Sequence, residues 1–176
     1  MGAPRKDTVV VDLDGTLADI EHRRRFITGA RRDWKSFHES CARDAPNAWC
    51  VRLVCALRAA GLQIQLVSGR ARAVEKQTLE WLSRVFDGDL SGMTLVLLRA
   101  HDDKTKDTEL KREWLHAFGK DRVLFAVDDR KRVVDMWREE GVICLQCDDW
   151  EERASAAEVG SRALAAEDRA PRPKEK

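Results

Sequence analysis

The sequence lacks any apolar run long enough to cross a membrane. Its opening, Met1-Gly2-Ala3-Pro4-Arg5-Lys6, leads toward a strand and not into the apolar core of a signal peptide. A cytoplasmic chain with no membrane partner is therefore expected. Neither charge is in excess: 32 Lys and Arg stand against 31 Asp and Glu, a net of +1, so bulk electrostatics selects no partner. There is no internal repeat. The five cysteines are an odd number with one CxxC, Cys144 and Cys147, no second CxxC and no His pair at ligand spacing. On a strand, positions i and i+3 face opposite sides, so buried free thiols are expected in place of a zinc site. What is left, 36% charged residues in 176, suits one soluble domain with a sizeable core.

Against these absences stands one dense stretch, Val9 to Asp19, VVVDLDGTLAD. A β-branched run bounded by a Gly-containing turn reads as a buried strand of a parallel sheet. Asp12 and Asp14 then sit where that strand ends, and open α/β sheets place their ligands at strand carboxyl ends. One carboxylate can attack a phosphorus while the other handles the proton, provided a cation screens both. Asp-Gly is also ordinary turn chemistry, so the stretch needs support from the rest of the chain.

That support comes from alternation. Strands are expected at Thr8–Asp12, Leu62–Val67, Met93–Arg99, Arg122–Val127 and Val142–Gln146. Helices are expected at Trp49–Ala60, Arg72–Val85, Asp107–Ala117 and Lys131–Glu140. This order predicts an α/β fold, a Rossmann-like doubly wound parallel sheet with right-handed crossovers. The domain spans 1–150, with a small helical cap inserted at about 17–47, helical around Ile20–Ile27 and Trp34–Ala42. Residues 151–169 suit a surface helix, and the Pro-, Lys- and Arg-rich end of the chain suits a disordered tail. Trp34, Trp49, Trp81, Trp114 and Trp137 fall in helical patterns and are expected in core or cap packing.

Reactive residue types recur at the strand ends. Ser68 and Arg70 follow the second strand, Asp128 and Asp129 the fourth, and Lys111 lies between the third and fourth. Carboxylates brought together there repel unless a hard cation joins them. A hydroxyl and an ammonium are what a transferring phosphoryl group needs on its remaining oxygens.

Asp12-Leu13-Asp14-Gly15-Thr16, then Ser68, then Lys111, then Asp128-Asp129 resembles the haloacid dehalogenase superfamily of aspartate-nucleophile phosphatases. Phe125-Ala126-Val127-Asp128-Asp129-Arg130, with Arg99, Asp103, Asp107 and Lys111, is similar to the phosphatase module of phage polynucleotide kinase–phosphatase. The resemblance implies Asp12 as nucleophile, Asp14 as general acid and base, and Ser68 and Lys111 on phosphate oxygens. It implies Mg²⁺ held by Asp12, the Leu13 carbonyl and Asp128, with Asp14 and Asp129 assisting. Thr16, Arg23, Gly69, Arg70 and Asp107 would serve the substrate, Asp107 also orienting Lys111 one helical turn away. No GxxxxGK[ST] is present, so no P-loop kinase module is expected. Arg99, after the third strand, reads as surface.

The insert carries the question of substrate. Between Glu21 and Lys35, six basic residues face Glu21 and Asp33, a net of +4. Such a cluster suits a nucleic-acid backbone, and Phe26 and Trp34 suit stacking on a base. It also suits a cap whose arginines are simply solvated. The expected function is Mg²⁺-dependent removal of a 3′-phosphate from a DNA or RNA end. The alternatives are a nucleotidase or other small-metabolite phosphatase, and a non-catalytic nucleic-acid-binding module.

Overall fold

All four residues of Thr8-Val9-Val10-Val11 are buried, and that fixes their place. The computed structural model describes residues 6–28, 31–100 and 103–149. β1 (Thr8–Val11) is the middle strand of a five-stranded parallel sheet. A strand with no polar face must be covered on both sides. The cover comes from α3 (Ala48–Ala59) and α4 (Glu75–Val85) on one face, and α5 (Asp107–Phe118) and α6 (Lys131–Glu139) on the other. Because side chains alternate along a strand, Val9 and Val11 meet Cys50, Val54, Trp81 and Leu82, while Val10 belongs with Leu115, Val133, Val134 and Trp137.

With β4 (Gln63–Ala71), β5 (Met93–Arg99), β6 (Val123–Asp128) and β7 (Cys144–Gln146), the strand order is β5-β4-β1-β6-β7. The chain winds from β1 to one edge, then returns to add strands on the other side. β1 is thus the switch point, where such sheets open a crevice at their carboxyl edge. Val11 pairs with Leu66 and Val127, so the ends of β4 and β6 flank the segment that follows β1.

That segment leads into the insert through a narrow neck. β2 (Ala18–Asp19) pairs antiparallel with β3 (Ala45–Pro46), and the Asn47 side chain donates to the Thr16 carbonyl at 2.8 Å. Between them lie α1 (Glu21–Arg24), α2 (Trp34–Glu39) and a 3₁₀ turn at Ser40–Arg43, around a small core of Ile20, Ile27 and Phe37.

Several expectations are corrected. The insert's helices are shorter than Ile20–Ile27 and Trp34–Ala42, because segments this brief do not sustain themselves and their residues are tied by side chains instead. β4 runs on past Val67 through Ser68, Gly69 and Arg70, with an irregularity between Ser68 and Ala71. Trp34 and Trp49 are not packed inside; they are 47% and 46% exposed, whereas Trp81 and Trp137 are buried. The expected C-terminal helix and tail, 151–176, lie outside the described residues.

Candidate active site

Three buried carboxylates meet at the end of β1. Asp12, Asp128 and Asp129 each offer an oxygen, and these oxygens all lie within 4.8 Å of one another. Lys111, on α5, reaches in from the side. Its ammonium donates to Asp12 Oδ1 and to Asp128 Oδ2, both at 2.6 Å. Trp137 adds an indole N–H to Asp128 Oδ2 at 3.3 Å. Burial pushes Asp12 up to about 7, with Asp128 and Asp14 adding to it and Lys111 opposing. Burial likewise raises Asp129 to about 8, helped by Asp12 and Asp128. Burial alone would strip Lys111 of its proton, but Asp12 and Asp128 override it and hold the ammonium charged.

The cluster fits a hard divalent cation. With all three carboxylates ionised, one ammonium would leave two negative charges in a buried site, which is why Asp12 and Asp129 hold on to protons where no cation is bound. All the donors are oxygens, as such cations require. Asp129 Oδ2 is buried without a hydrogen-bond partner, a costly state that a cation would relieve. Gly15 is part of the cradle: a Cβ there would lie 2.1 Å from Asp129 Oδ2. Thr16, expected to serve the substrate, is fully buried and donates its hydroxyl to Asp129 Oδ1 at 3.4 Å. The CxxC contributes nothing comparable, since burial pushes the thiols of Cys144 and Cys147 up to about 12.

Asp14 lives in a different environment two residues on. Arg23 Nη2 donates to its Oδ1 at 2.7 Å, and Arg70 Nε donates to the same oxygen at 2.8 Å. Burial would raise this carboxyl, yet the Arg70 and Arg23 guanidiniums hold it far below the usual carboxylate range. Its side chain keeps 15% exposure, so it still faces the crevice. Neighbouring carboxylates of one motif are thereby pushed in opposite directions, Asp12 up by burial and Asp14 down by the two guanidiniums.

Both arginines are themselves held by Asp44, which sequence reasoning missed. Asp44 accepts from Arg23 Nε and Nη2 and from Arg70 Nη2, each at 2.7 Å. His22 Nε2 lies 2.9 Å from Asp44 Oδ1, and Trp81 donates its indole N–H to the Asp44 carbonyl at 2.7 Å. Arg23 and Arg70 are fully buried, so Arg23 is not one of the solvated arginines that the insert also suits. Nothing in the Arg43-Asp44-Ala45 context distinguishes this acid; its partners are 21 and 26 residues away in sequence.

Ser68 is buried at the end of β4 with its hydroxyl accepting from the Arg70 N–H at 3.2 Å. Asp107 does not orient Lys111. Lys111 is drawn inward by Asp12 and Asp128, and Asp107 turns instead to the guanidiniums of Arg130 and Arg132. Gly69 lies beside Asp107, whose Cβ a Cβ on Gly69 would meet at 3.5 Å, an ordinary contact. Arg99 is a second residue missed: its Nε donates to the Gly69 carbonyl at 3.0 Å, and Nη1 to the carbonyls of Asp103 and Thr105. It ties the loop after β5 to the Ser-Gly-Arg segment.

Comparison with known proteins places this geometry. A family described as the polynucleotide kinase PNKP phosphatase domain matches residues 6–151. A chain in the solved Pnkp1/Rnl/Hen1 RNA repair complex is 30% identical over 81% of this chain and 42% of that one, with a TM-score of 0.66. Another structure of the Pnkp1/Rnl/Hen1 complex matches at 28% identity over 81% and 46%, with a TM-score of 0.65. This chain therefore spans less than half the length of those relatives. The class C acid phosphatase from Bacillus anthracis, solved with tungstate bound, shares the fold at 18% identity, covering 82% of this chain and 68% of its own, with a TM-score of 0.56.

Proposed function

This chain belongs to the PNKP phosphatase domain family, a phosphatase family of the haloacid dehalogenase type, and on that premise we propose that it removes 3′-phosphates from nucleic-acid ends with Mg²⁺ as cofactor. The observation that carries the reading is the opposed treatment of Asp12 and Asp14, one beside an ammonium and other carboxylates, the other clamped by two guanidiniums. The relatives in the Pnkp1/Rnl/Hen1 RNA repair complex support a nucleic-acid end as the substrate.

The residues divide the work as follows. Asp12 attacks phosphorus, the bond to the leaving 3′-oxygen breaks, and Asp14 gives that oxygen a proton. Asp14 then takes a proton from the water that hydrolyses the aspartyl-phosphate. Arg23 and Arg70 keep Asp14 ionised in the free protein, and the negative charge of the arriving phosphate, by engaging these guanidiniums and raising the affinity of Asp14 for protons, lets it take up the proton it gives the leaving oxygen. Ser68 and Lys111 hold phosphoryl oxygens, and Asp44 keeps both arginines in place. Asp12, Asp128 and Asp129 would hold Mg²⁺, which when bound would supply charge neutralisation between phosphate and carboxylates and polarise the phosphoryl group. The Leu13 carbonyl, expected beside them, is instead taken by the Thr16 and Ala18 N–H groups at 3.2 and 2.8 Å.

The test is a substrate panel. A 3′-phosphorylated oligonucleotide should be hydrolysed with higher kcat/KM than a 3′-mononucleotide, with activity lost in chelator and restored by Mg²⁺. Oligonucleotide hydrolysis should also fall more steeply with salt, because only the polymer offers several backbone contacts. A preference for the mononucleotide, with matching salt dependence, would move the small-metabolite reading ahead.

A further inference from the structure

Two exposed aromatic residues lie near the crevice, Trp49 and Trp34, and the charges around them differ. Trp49 lines a cavity of about 360 Å³ with Gly15, but Asp19, Glu21 and Asp148 also line it against Arg24. That rim opposes a polyanion. Trp34 stands on the surface formed by α2 and the segment before it. There Arg25, Arg31, Arg32 and Lys35 are exposed, with Asp33 and Glu39 as the exposed acids. Trp34 opens this helix and is 47% exposed. His38, one turn later, stacks on it with ring planes 28° apart and centroids at 6.3 Å.

His38 is where this surface meets the catalytic residues. Arg23 Nη1 donates to the Phe37 carbonyl at 3.3 Å, and its guanidinium lies 4.2 Å from the Phe37 ring, which fixes the end of α2 over Asp14. The His38 imidazole lies in the field of Asp14, Arg23, Arg99 and Arg70. Its Nδ1 is buried and has no hydrogen-bond partner. A buried polar nitrogen left unpaired costs free energy, so a partner from outside is favoured. Burial, with the arginines adding and Asp14 opposing, pushes this imidazole down to about 4. It is neutral at working pH and offers a hydrogen bond with no charge.

We infer that Trp34 and His38 form the site for the terminal nucleoside of the substrate: the base stacks on the Trp34 indole, and His38 Nδ1 hydrogen-bonds the sugar or base edge. The inference rests on the proposed 3′-phosphatase reading and deepens it. The leaving oxygen lies at Asp14, so its nucleoside emerges beneath α2, where the arginines and Lys35 meet the preceding phosphates.

The test uses two oligonucleotides ending in a 3′-phosphate, one with its terminal base and one abasic at that ribose. For the wild type, KM should be roughly tenfold higher for the abasic end, the size of one lost stack. In Trp34→Ala that ratio should collapse to within about twofold. His38→Phe keeps a ring beneath Trp34 and removes the ring nitrogens, and should raise KM for the intact end severalfold. A base-to-abasic ratio that survives Trp34→Ala, or an unchanged KM in His38→Phe, overturns the inference. If the wild type hydrolyses neither oligonucleotide, the proposed function has failed, and binding still reads the site. Titration with a nucleoside 3′-phosphate should quench tryptophan fluorescence, and Trp34→Phe should lose that quenching; quenching unchanged in Trp34→Phe counts against it.

Discussion

Asp44 has no place in the motifs that point to chemistry, yet two buried arginines depend on it. Removing one partner from a buried ion network leaves charge uncompensated, at a cost of about 3–5 kcal/mol. Asp44→Ala should therefore lower stability by about that much in a denaturant titration. The same change should cut kcat more than KM, because Arg23 and Arg70 would no longer be aimed at Asp14. Asp44→Ala with near wild-type stability would mean the guanidiniums find water instead. Asp12, Asp14, Asp128 and Asp129 were legible because each adjoins a strand end, which local pattern reveals. Asp44 was not, because its importance is set by partners from α1 and β4 that only the fold brings near. Asp107 was misread for a related reason. Its i, i+4 spacing to Lys111 is real, but Lys111 is pulled inward by two closer carboxylates, leaving Asp107 to Arg130.

The turn after β1 converts a strand into a binding cradle. Gly15 has φ +97°, where an L side chain is strained by about 1–2 kcal/mol, and its missing Cβ is the space Asp129 occupies. Gly15→Ala should thus do two separable things: lower the melting temperature modestly and weaken Mg²⁺ binding at least tenfold. Isothermal titration reads the second independently of activity. Mg²⁺ affinity unchanged in Gly15→Ala would remove Asp129 from the cradle. The sheet strands themselves were legible because buried parallel strands are continuous apolar runs. The continuation of β4 through Ser68, Gly69 and Arg70 was not, since polar residues there look like a loop until Arg70 finds its buried partners. Trp34 and Trp49 follow helical spacing without facing a core, so periodicity misplaced both.

Stability of the metal-free protein should carry the signature of the carboxylate cluster. Asp12 and Asp129 hold protons to about pH 7 and 8 when folded, against an ordinary aspartate value of 3.8. Between those limits the folded state binds more protons than the unfolded state, so stability falls as pH rises. Asp14 acts oppositely: its guanidinium-bound form stabilises above its unfolded pKa, and that contribution is lost as pH falls. A bound Mg²⁺, the proposed cofactor, would remove the need for those protons. Its addition should raise the melting temperature more at about pH 8.5 than at about pH 5.5. Equal shifts at both would show that binding does not require the ionised carboxylates.

The sheet order also imposes a schedule on synthesis. Asp12 belongs to the strand made first, but Lys111, the ammonium that shields it, comes 99 residues later, and Asp128 follows that. At ribosomal speeds of about 5–20 residues per second, roughly 5–20 s pass between them. During that interval the nascent chain has Asp12 but neither the ammonium nor the two carboxylates that surround it in the folded site. The carboxylate cluster is therefore complete only once β6 lies beside β1.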